Sequence, residues 1–322
     1  MAVFTKINQK DLNKVEKAFN LGRIKKHKGI KKGIENTNYY IEFQNKKTVL
    51  TIFEKRVNSK DLPFFMSLMS GLHKLNIICP EPIKSKKGSF LFKLKNKNAC
   101  LVSFLKGNDK KKINPSDCTA IGKNIAKLHK ATKKLNLNRK NSLSIKLLPN
   151  LLSKIDSRIN KLSKNLKFQM KNDLSNISKV WPKKLPKGVI HSDLFIDNIF
   201  FFKRKFYGFI DFYFSSTDFF SYELATCINA LCFDLRRNKY ILNRSKSSNL
   251  LKGYETIRKL SNNEKKHFNT LCKGSALRYL LTRSYDYLNT PKNAIIKIKN
   301  PREYLQKLNF HKKLNGFKDY LK

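Results

Sequence analysis

The chain predicts an α+β fold in two lobes: a small strand-rich N-terminal lobe over residues 1–106 and a larger, mainly helical lobe over residues 107–322. Three observations carry this. Short runs of β-branched and aromatic residues fill the first part. After residue 114 apolar residues recur at helical spacing. Between the two regimes lies a polar stretch, Lys106-Gly107-Asn108-Asp109, that reads as a hinge. The 322 residues suffice for one large domain or two lobes, and the 24 Phe and 12 Tyr exclude a disordered chain.

The strands come first. Residues 37–43 and 47–53 are rich in Tyr, Thr, Val, Ile and Phe, and Gln44-Asn45-Lys46 between them predicts a hairpin. Ser59 is placed to cap a helix entered through Leu62-Pro63, with Phe64, Phe65, Leu68, Met69, Leu72 and Leu75 at helical spacing. Cys79-Pro80-Glu81-Pro82 ends it, and strands over 89–94 and 99–105 follow.

Helices then take over. Asn114-Pro115 opens one that carries Ile121, Ile125, Leu128 and His129. Residues 131–147 read as a polar loop and 148–180 as a second helical stretch. A β-rich island covers 188–190, 198–202 and 206–210. Helical patterns resume near Ser221 and run, with breaks, to about Asn289; the polar tail after Phe310 is expected to fray.

The formal net charge is +47, with 69 Lys and Arg against 22 Asp and Glu. Such an excess suggests a nucleic-acid partner. Only 12 of the basic residues are Arg, however, and base reading leans on the Arg fork. The lysines are spread along the whole chain beside abundant Asn, Ile and Phe, which is what A/T-rich codons produce. No specific nucleic-acid binding is expected. The start of the chain lacks the apolar run of a signal peptide, and no stretch is long and apolar enough to span a membrane, so a cytoplasmic protein without membrane contact is expected. The six cysteines form no C-x-x-C pair or zinc-spaced cluster and read as buried, reduced thiols.

The sharpest chemical signal is His191-Ser192-Asp193-Leu194-Phe195-Ile196-Asp197-Asn198, followed by Ile210-Asp211-Phe212. A buried strand at 189–190 delivers a loop holding Asp193; Asn198 begins the next strand, and a hairpin returns the chain to Asp211. Two carboxylates and an amide are hard oxygen donors that suit Mg²⁺. Mg²⁺ with a spare carboxylate is what phosphoryl transfer requires, since the metal neutralises phosphate charge and the carboxylate accepts the proton of the attacking hydroxyl. Singly, Asp193 and Asn198 would be ordinary turn residues; the spaced set between apolar strands is not explained that way.

The motif is similar to the catalytic loop and metal-binding Asp of the aminoglycoside phosphotransferase/choline kinase family, which shares the protein-kinase-like fold. Further strings resemble the bacterial homoserine kinase branch of that family: Gly29-Ile30-Lys31-Lys32-Gly33-Ile34-Glu35-Asn36-Thr37-Asn38-Tyr39, Leu50-Thr51-Ile52-Phe53-Glu54-Lys55-Arg56, Leu62-Pro63-Phe64-Phe65 and Ala276-Leu277-Arg278-Tyr279-Leu280-Leu281-Thr282-Arg283. The resemblance implies that Asp193 is the base facing the homoserine hydroxyl, that Asn198 and Asp211 hold Mg²⁺ against the phosphates of ATP, and that His191 braces the loop without ligating metal. It puts Gly29, Gly33, Asn36 and Asn38 in a segment covering the phosphates, ahead of the first strand of the hairpin. Adenine would meet the backbone near Ser103 and Leu105. The N-terminal lobe would bind nucleotide and the C-terminal lobe would carry catalysis and the acceptor.

The sequence departs from the wider kinase pattern in three places. The phosphate-binding lysine expected on the third strand is missing at Val49-Leu50-Thr51; Lys55 shares a strand face with Thr51 and Phe53 and would be its substitute. The next helix offers no partner Glu. In Tyr222-Glu223-Leu224-Ala225 a Glu stands where the family commonly has Asp, one methylene longer and still able to brace the loop. A zwitterionic substrate needs a cation and an anion. Arg278, Thr282 and Asp286 recur at i+4 spacing and could share a face, with Arg283 beside them, although Arg283 and Asp286 at i+3 could equally pair with each other. Tyr213, two residues past Asp211, would line the same pocket.

The resemblance implies ATP- and Mg²⁺-dependent phosphorylation of L-homoserine to O-phospho-L-homoserine for L-threonine biosynthesis. Two alternatives stay open here: a kinase of the same family acting on choline, an aminoglycoside or a sugar amine, and a basic RNA-associated protein on a kinase fold. The oligomeric state is not legible.

Overall fold

In a computed structural model that describes residues 4–30, 35–54, 57–290 and 298–321, the chain divides into two units. One is Met1–Asn108 with Tyr207–Tyr213; the other is Asp109–Phe206 with Phe214–Lys322. Strands and helices mix in the α+β manner expected.

The first unit is built on an antiparallel sheet. Helix α1 (Gln9–Ala18) opens on a capping box, in which Asn8 and Asp11 each satisfy the other's backbone N–H. Strands β1 (Ile24–Gly29), β2 (Thr37–Phe43) and β3 (Lys47–Ile52), helix α2 (Leu62–Lys74), and strands β4 (Leu91–Leu94) and β5 (Lys97–Ser103) follow; the sheet order is β1-β2-β3-β5-β4. Along β2 every second residue is buried. Tyr39, Ile41 and Phe43 thus face Leu50, Ile52, Ala99 and Leu101 on one side, and Leu12 and Val15 of α1, with Phe19 just past its end, cover them. The other side carries Asn38, Thr51 and Cys100, which stand opposite one another across β2, β3 and β5.

The sequence did not announce α1 or β1. Only Leu12 and Val15 of α1 are both apolar and buried, and β1 is a solvent-facing edge strand of mostly polar residues. Gly29 lies ahead of the hairpin, as expected, but it closes the unannounced edge strand β1, pairing with Tyr39 of β2.

The second unit contains α3 (Pro115–Lys134), α4 (Leu148–Leu152), α5 (Leu166–Lys179), β6 (Lys187–Ile190) and β7 (Ile199–Phe202). A turn in which Lys203 and Arg204 both have positive φ leads into β8 (Lys205–Phe209) and so to the 207–213 segment of the first unit. The second unit resumes with β9 (Ser216–Phe219), antiparallel to β6, then α6 (Phe220–Leu231), β10 (Phe233–Arg236), β11 (Lys239–Leu242), α7 (Arg244–Glu255), α8 (Asn262–Asn289) and α9 (Arg302–Lys312). Helix α8 is the organiser. Its Leu277, Leu280 and Leu281 pack with Met170 and Leu174 of α5 and with Tyr304 and Leu308 of α9. Helices α3 and α7 approach so closely that a Cβ on Gly122 would lie 2.1 Å from the Leu250 carbonyl oxygen, and one on Gly253 2.3 Å from that of Thr119.

Three expectations need correction here. The stretch 148–180 is not one helix. Asp156 caps a separate turn, Ser157–Lys161, and Asn165 sits at φ 56° before α5 begins. The hairpin β10–β11 interrupts the helical region. The tail does not fray: Tyr320 is fully buried, with its carbonyl accepting from Ser247 Oγ and its hydroxyl bonded to Asn269 Nδ2 at 3.0 Å.

All six cysteines are free and buried, and burial pushes the Cys79 and Cys100 thiols up to about 12. Among the described residues no helix is long and apolar enough to cross a membrane.

Candidate active site

Strand β6 ends at Ile190 and hands the chain to His191-Ser192-Asp193. Ser192 sits at φ 70°, a left-handed conformation that is unfavourable for a residue with a Cβ. The surroundings hold it there. Its N–H donates to Glu223 Oε1 at 2.7 Å, and the N–H of His191 donates to Glu223 Oε2 at 2.9 Å. Its carbonyl accepts from Arg278 Nη1 and from the Tyr279 hydroxyl, each at 3.1 Å. Its own hydroxyl lies 3.0 Å from Ser216 Oγ. Helices α6 and α8 and strand β9 thus grip one residue from three directions.

Asp193 follows, half-buried. Oδ1 accepts from Tyr279 Oη at 3.2 Å and Oδ2 from Asn198 Nδ2 at 3.3 Å. Asn198 Nδ2 also donates to the Asp193 carbonyl at 2.8 Å. With its nitrogen facing Asp193, the Asn198 carboxamide turns its oxygen the other way. Burial raises the Asp193 pKa, and the charges of Arg278, His191 and Lys299 offset only part of that rise. His191 stays beside the loop, its Nδ1 facing the Asp193 N–H at 3.4 Å.

Behind the loop runs a buried relay. Glu223 Oε2 lies 3.0 Å from His129 Nε2, and His129 Nδ1 lies 2.8 Å from the Tyr254 hydroxyl, which accepts from Arg258 Nη1 at 3.1 Å. The network assigns the His129 proton to Nε2, with Nδ1 accepting from Tyr254. Burial pushes the Glu223 carboxyl up, yet the bonds from His129 and His191 outweigh it and hold Glu223 below its usual range. Burial holds His129 below its usual value, so the imidazole is neutral. The expected brace at Glu223 is thus in contact with the loop. His129 gave one cue in the sequence, a polar residue on the otherwise apolar face of Ile121, Ile125 and Leu128.

The candidates for nucleotide and metal, apart from Asn198, fall in the first unit, as does Tyr213. Asp211, in the 207–213 segment, is exposed and sits at φ 64°. Tyr213 packs edge-on against Phe53 and Phe65, with ring centroids 5.0 and 5.8 Å away, and its hydroxyl is 3.6 Å from Cys100 Sγ. Asn38 Oδ1 accepts from Thr51 at 2.8 Å, and Asn36 Oδ1 from the Glu54 N–H at 3.3 Å. Ser103 closes β5, its Oγ accepting from the Glu81 N–H at 2.9 Å, and Leu105 is half-buried just beyond it. Gly33 and Lys55 lie outside the described residues. Sequence reasoning missed the ion pair of Lys97 with Glu54, whose carboxylate also accepts from Thr5 at 2.7 Å and Thr37 at 2.8 Å.

The charged residues expected to meet the substrate are engaged with protein groups. Arg278 is only 2% exposed, with its guanidinium on the Ser192 carbonyl. Arg283 pairs with Glu303 at 2.6 Å and lies over the Tyr304 ring, 4.4 Å from its centroid. Asp286 is half-buried, one turn further along α8.

A strand-ending loop that fixes an Asp and an Asn side by side is an arrangement that kinase catalytic loops use. The profile of the phosphotransferase enzyme family matches residues 26–255, and the chain belongs to that family. An amicoumacin kinase solved with AMP-PNP, Ca²⁺ and Ami superposes with a TM-score of 0.71 at 15% identity, over 95% of this chain and 92% of that one, which establishes the shared kinase-like fold. The chain is 38% identical over 320 residues to the homoserine kinase of Methylobacterium nodulans, covering 99% of each. It is 40% identical over the same length to that of Allorhizobium ampelinum, again covering 99% of each. Within the phosphotransferases, then, it belongs with the homoserine kinases.

Proposed function

We propose that this protein transfers the γ-phosphoryl group of ATP to the side-chain hydroxyl of L-homoserine, giving ADP and O-phospho-L-homoserine for L-threonine biosynthesis in the cytoplasm. The observation that carries the reading is the end-to-end identity with homoserine kinases, and the held Asp193–Asn198 pair agrees with it.

In this reading Asp193 is the base. A carboxylate with one lone pair of each oxygen tied to a fixed donor presents the rest in a fixed direction, toward the hydroxyl of the acceptor. Its raised pKa makes it a better proton acceptor than a solvated carboxylate. His191 serves the loop and does not touch substrate. Gly29, Asn36 and Asn38 would lie along the phosphates, with adenine against the backbone at Ser103 and Leu105.

Mg²⁺ fits the donors present. Asn198 offers a carboxamide oxygen and Asp211 an exposed carboxylate, the hard oxygens this ion takes together with water and phosphate oxygens. Among the described residues no set of three or more His, Cys, Asp and Glu side chains is arranged to hold a metal. When bound, the ion would neutralise phosphate charge.

For the zwitterionic end of the acceptor the proposed contacts are Tyr213, Arg278, Arg283 and Asp286. Arg278 and Arg283 would contribute chiefly through their charge, since their guanidinium groups already hold Ser192 and Glu303. A panel of alcohols supplied with ATP tests the reading. Homoserine should be preferred by at least about a hundred-fold in kcat/KM, on the scale that separates a substrate whose polar groups are recognised from one whose groups are not. Preference for choline, kanamycin or a sugar amine would overturn it.

A further inference from the structure

We propose that Tyr279 is a positioning residue for phosphoryl transfer, its hydroxyl orienting the Asp193 carboxylate and locking the Ser192 carbonyl behind it. The proposal rests on Asp193 being the base.

The Tyr279 O–H has one proton and two acceptors, Ser192 O at 3.1 Å and Asp193 Oδ1 at 3.2 Å. Both acceptors belong to consecutive residues of one loop, so a single donor fixes the backbone and the side chain together. The ring that carries the hydroxyl cannot swing. Phe195, from the same loop, packs edge-on against it with centroids 5.0 Å apart; Tyr304 of α9 lies on its other side at 5.1 Å; and the Arg278 guanidinium carbon sits 4.8 Å from its centroid. Burial drives the Tyr279 pKa well up, so the phenol stays protonated and remains a donor.

The consequence is a two-point mounting. Asn198 holds Oδ2 and Tyr279 holds Oδ1. Remove either donor and the carboxylate gains rotational freedom about its side-chain torsions, which lowers the fraction of time it faces the acceptor hydroxyl. Arg278 cannot replace Tyr279, because its bond goes to Ser192 O alone among the two acceptors.

Tyr279→Phe separates this from a packing role. The ring is retained, Ser192 O keeps its bond from Arg278, and the Asp193 carboxylate keeps its bond from Asn198, so neither group loses its last donor. Expected is a fall in kcat of about ten-fold, with KM for ATP and homoserine changed less than two-fold and Tm lowered by only a few degrees. In an Asp193→Asn background the same change should cost less than two-fold, because the group it positions is gone. Wild-type kcat in Tyr279→Phe, or an equal loss in both backgrounds, overturns the proposal. So does loss of folded protein on this isosteric change, which would assign the residue to stability. If Asp193→Asn itself turns over like wild type, the assignment of the base has failed instead.

Discussion

Nε2 of His129 lies 3.0 Å from Oε2 of Glu223, with both side chains wholly shielded from solvent. The contact matters because the same carboxylate receives the backbone N–H groups of His191 and Ser192, which enter the loop that carries Asp193. Three donors on one carboxylate keep Glu223 ionised despite its burial and make it the anchor of the loop.

Glu223→Ala should therefore be severe. It orphans two buried N–H groups and a buried imidazole, and removing one partner of such a set costs about 3–5 kcal/mol. Urea unfolding measures this directly. A loss below about 1 kcal/mol would mean that water or another side chain satisfies the loop equally well.

The pH dependence of stability follows from buried histidines. His311 is enclosed by Tyr320, whose hydroxyl is 2.9 Å from Nδ1, and Asn229, whose Oδ1 is 3.0 Å from Nε2. Burial, reinforced by the charges of Lys273 and Lys307, holds it down to about 3. His129 is also held low, by burial against the opposing pull of Glu223. A folded-state pKa below the unfolded value of 6.5 means that the unfolded chain binds the proton first. Stability is then full above about pH 6.5 and declines as the pH falls toward the folded value. Between pH 7 and pH 5, His311 should account for a loss of about 2 kcal/mol. Urea titrations at both pH values should show it, and His311→Gln should flatten the slope while lowering stability at pH 7. An unchanged slope in that variant would contradict the assignment.

Much of this was legible in the sequence. The hairpin at 37–52, the Pro-entered helices and the His191–Asn198 motif all rest on local rules: alternation, capping and motif spacing. What was missed depends on partners distant in the chain. β1 is stabilised by pairing with β2 and not by its own composition, which is polar. Helix α1 is held by Leu12, Val15 and Phe19 covering a sheet that the sequence does not align for the reader. In the site, Asp193 and Asn198 were readable because they lie five residues apart. The grip of Tyr279 on Asp193 spans 86 residues and that of His129 on Glu223 spans 94, so no spacing rule reaches them. Arg278 was noted for its charge, while its bond to Ser192 O follows only from where α8 crosses the loop.

Asp211→Ala addresses the proposed metal site. The side chain is exposed and its backbone is in the left-handed region, where Ala is less at ease than Asp. A modest loss of stability, about 1 kcal/mol, is expected from the backbone alone. Mg²⁺-dependent ATP turnover should vanish while the circular dichroism spectrum is retained. An unaltered Mg²⁺ requirement, with turnover preserved, would remove Asp211 from the site.

The most direct measurement is the turnover of Asp193→Asn with ATP and L-homoserine, followed as formation of O-phospho-L-homoserine. The amide keeps the shape of the side chain and removes the proton acceptor. A fall in kcat of roughly a hundred- to ten-thousand-fold, with KM for ATP little changed, is what a positioned base predicts. Turnover equal to wild type would contradict it.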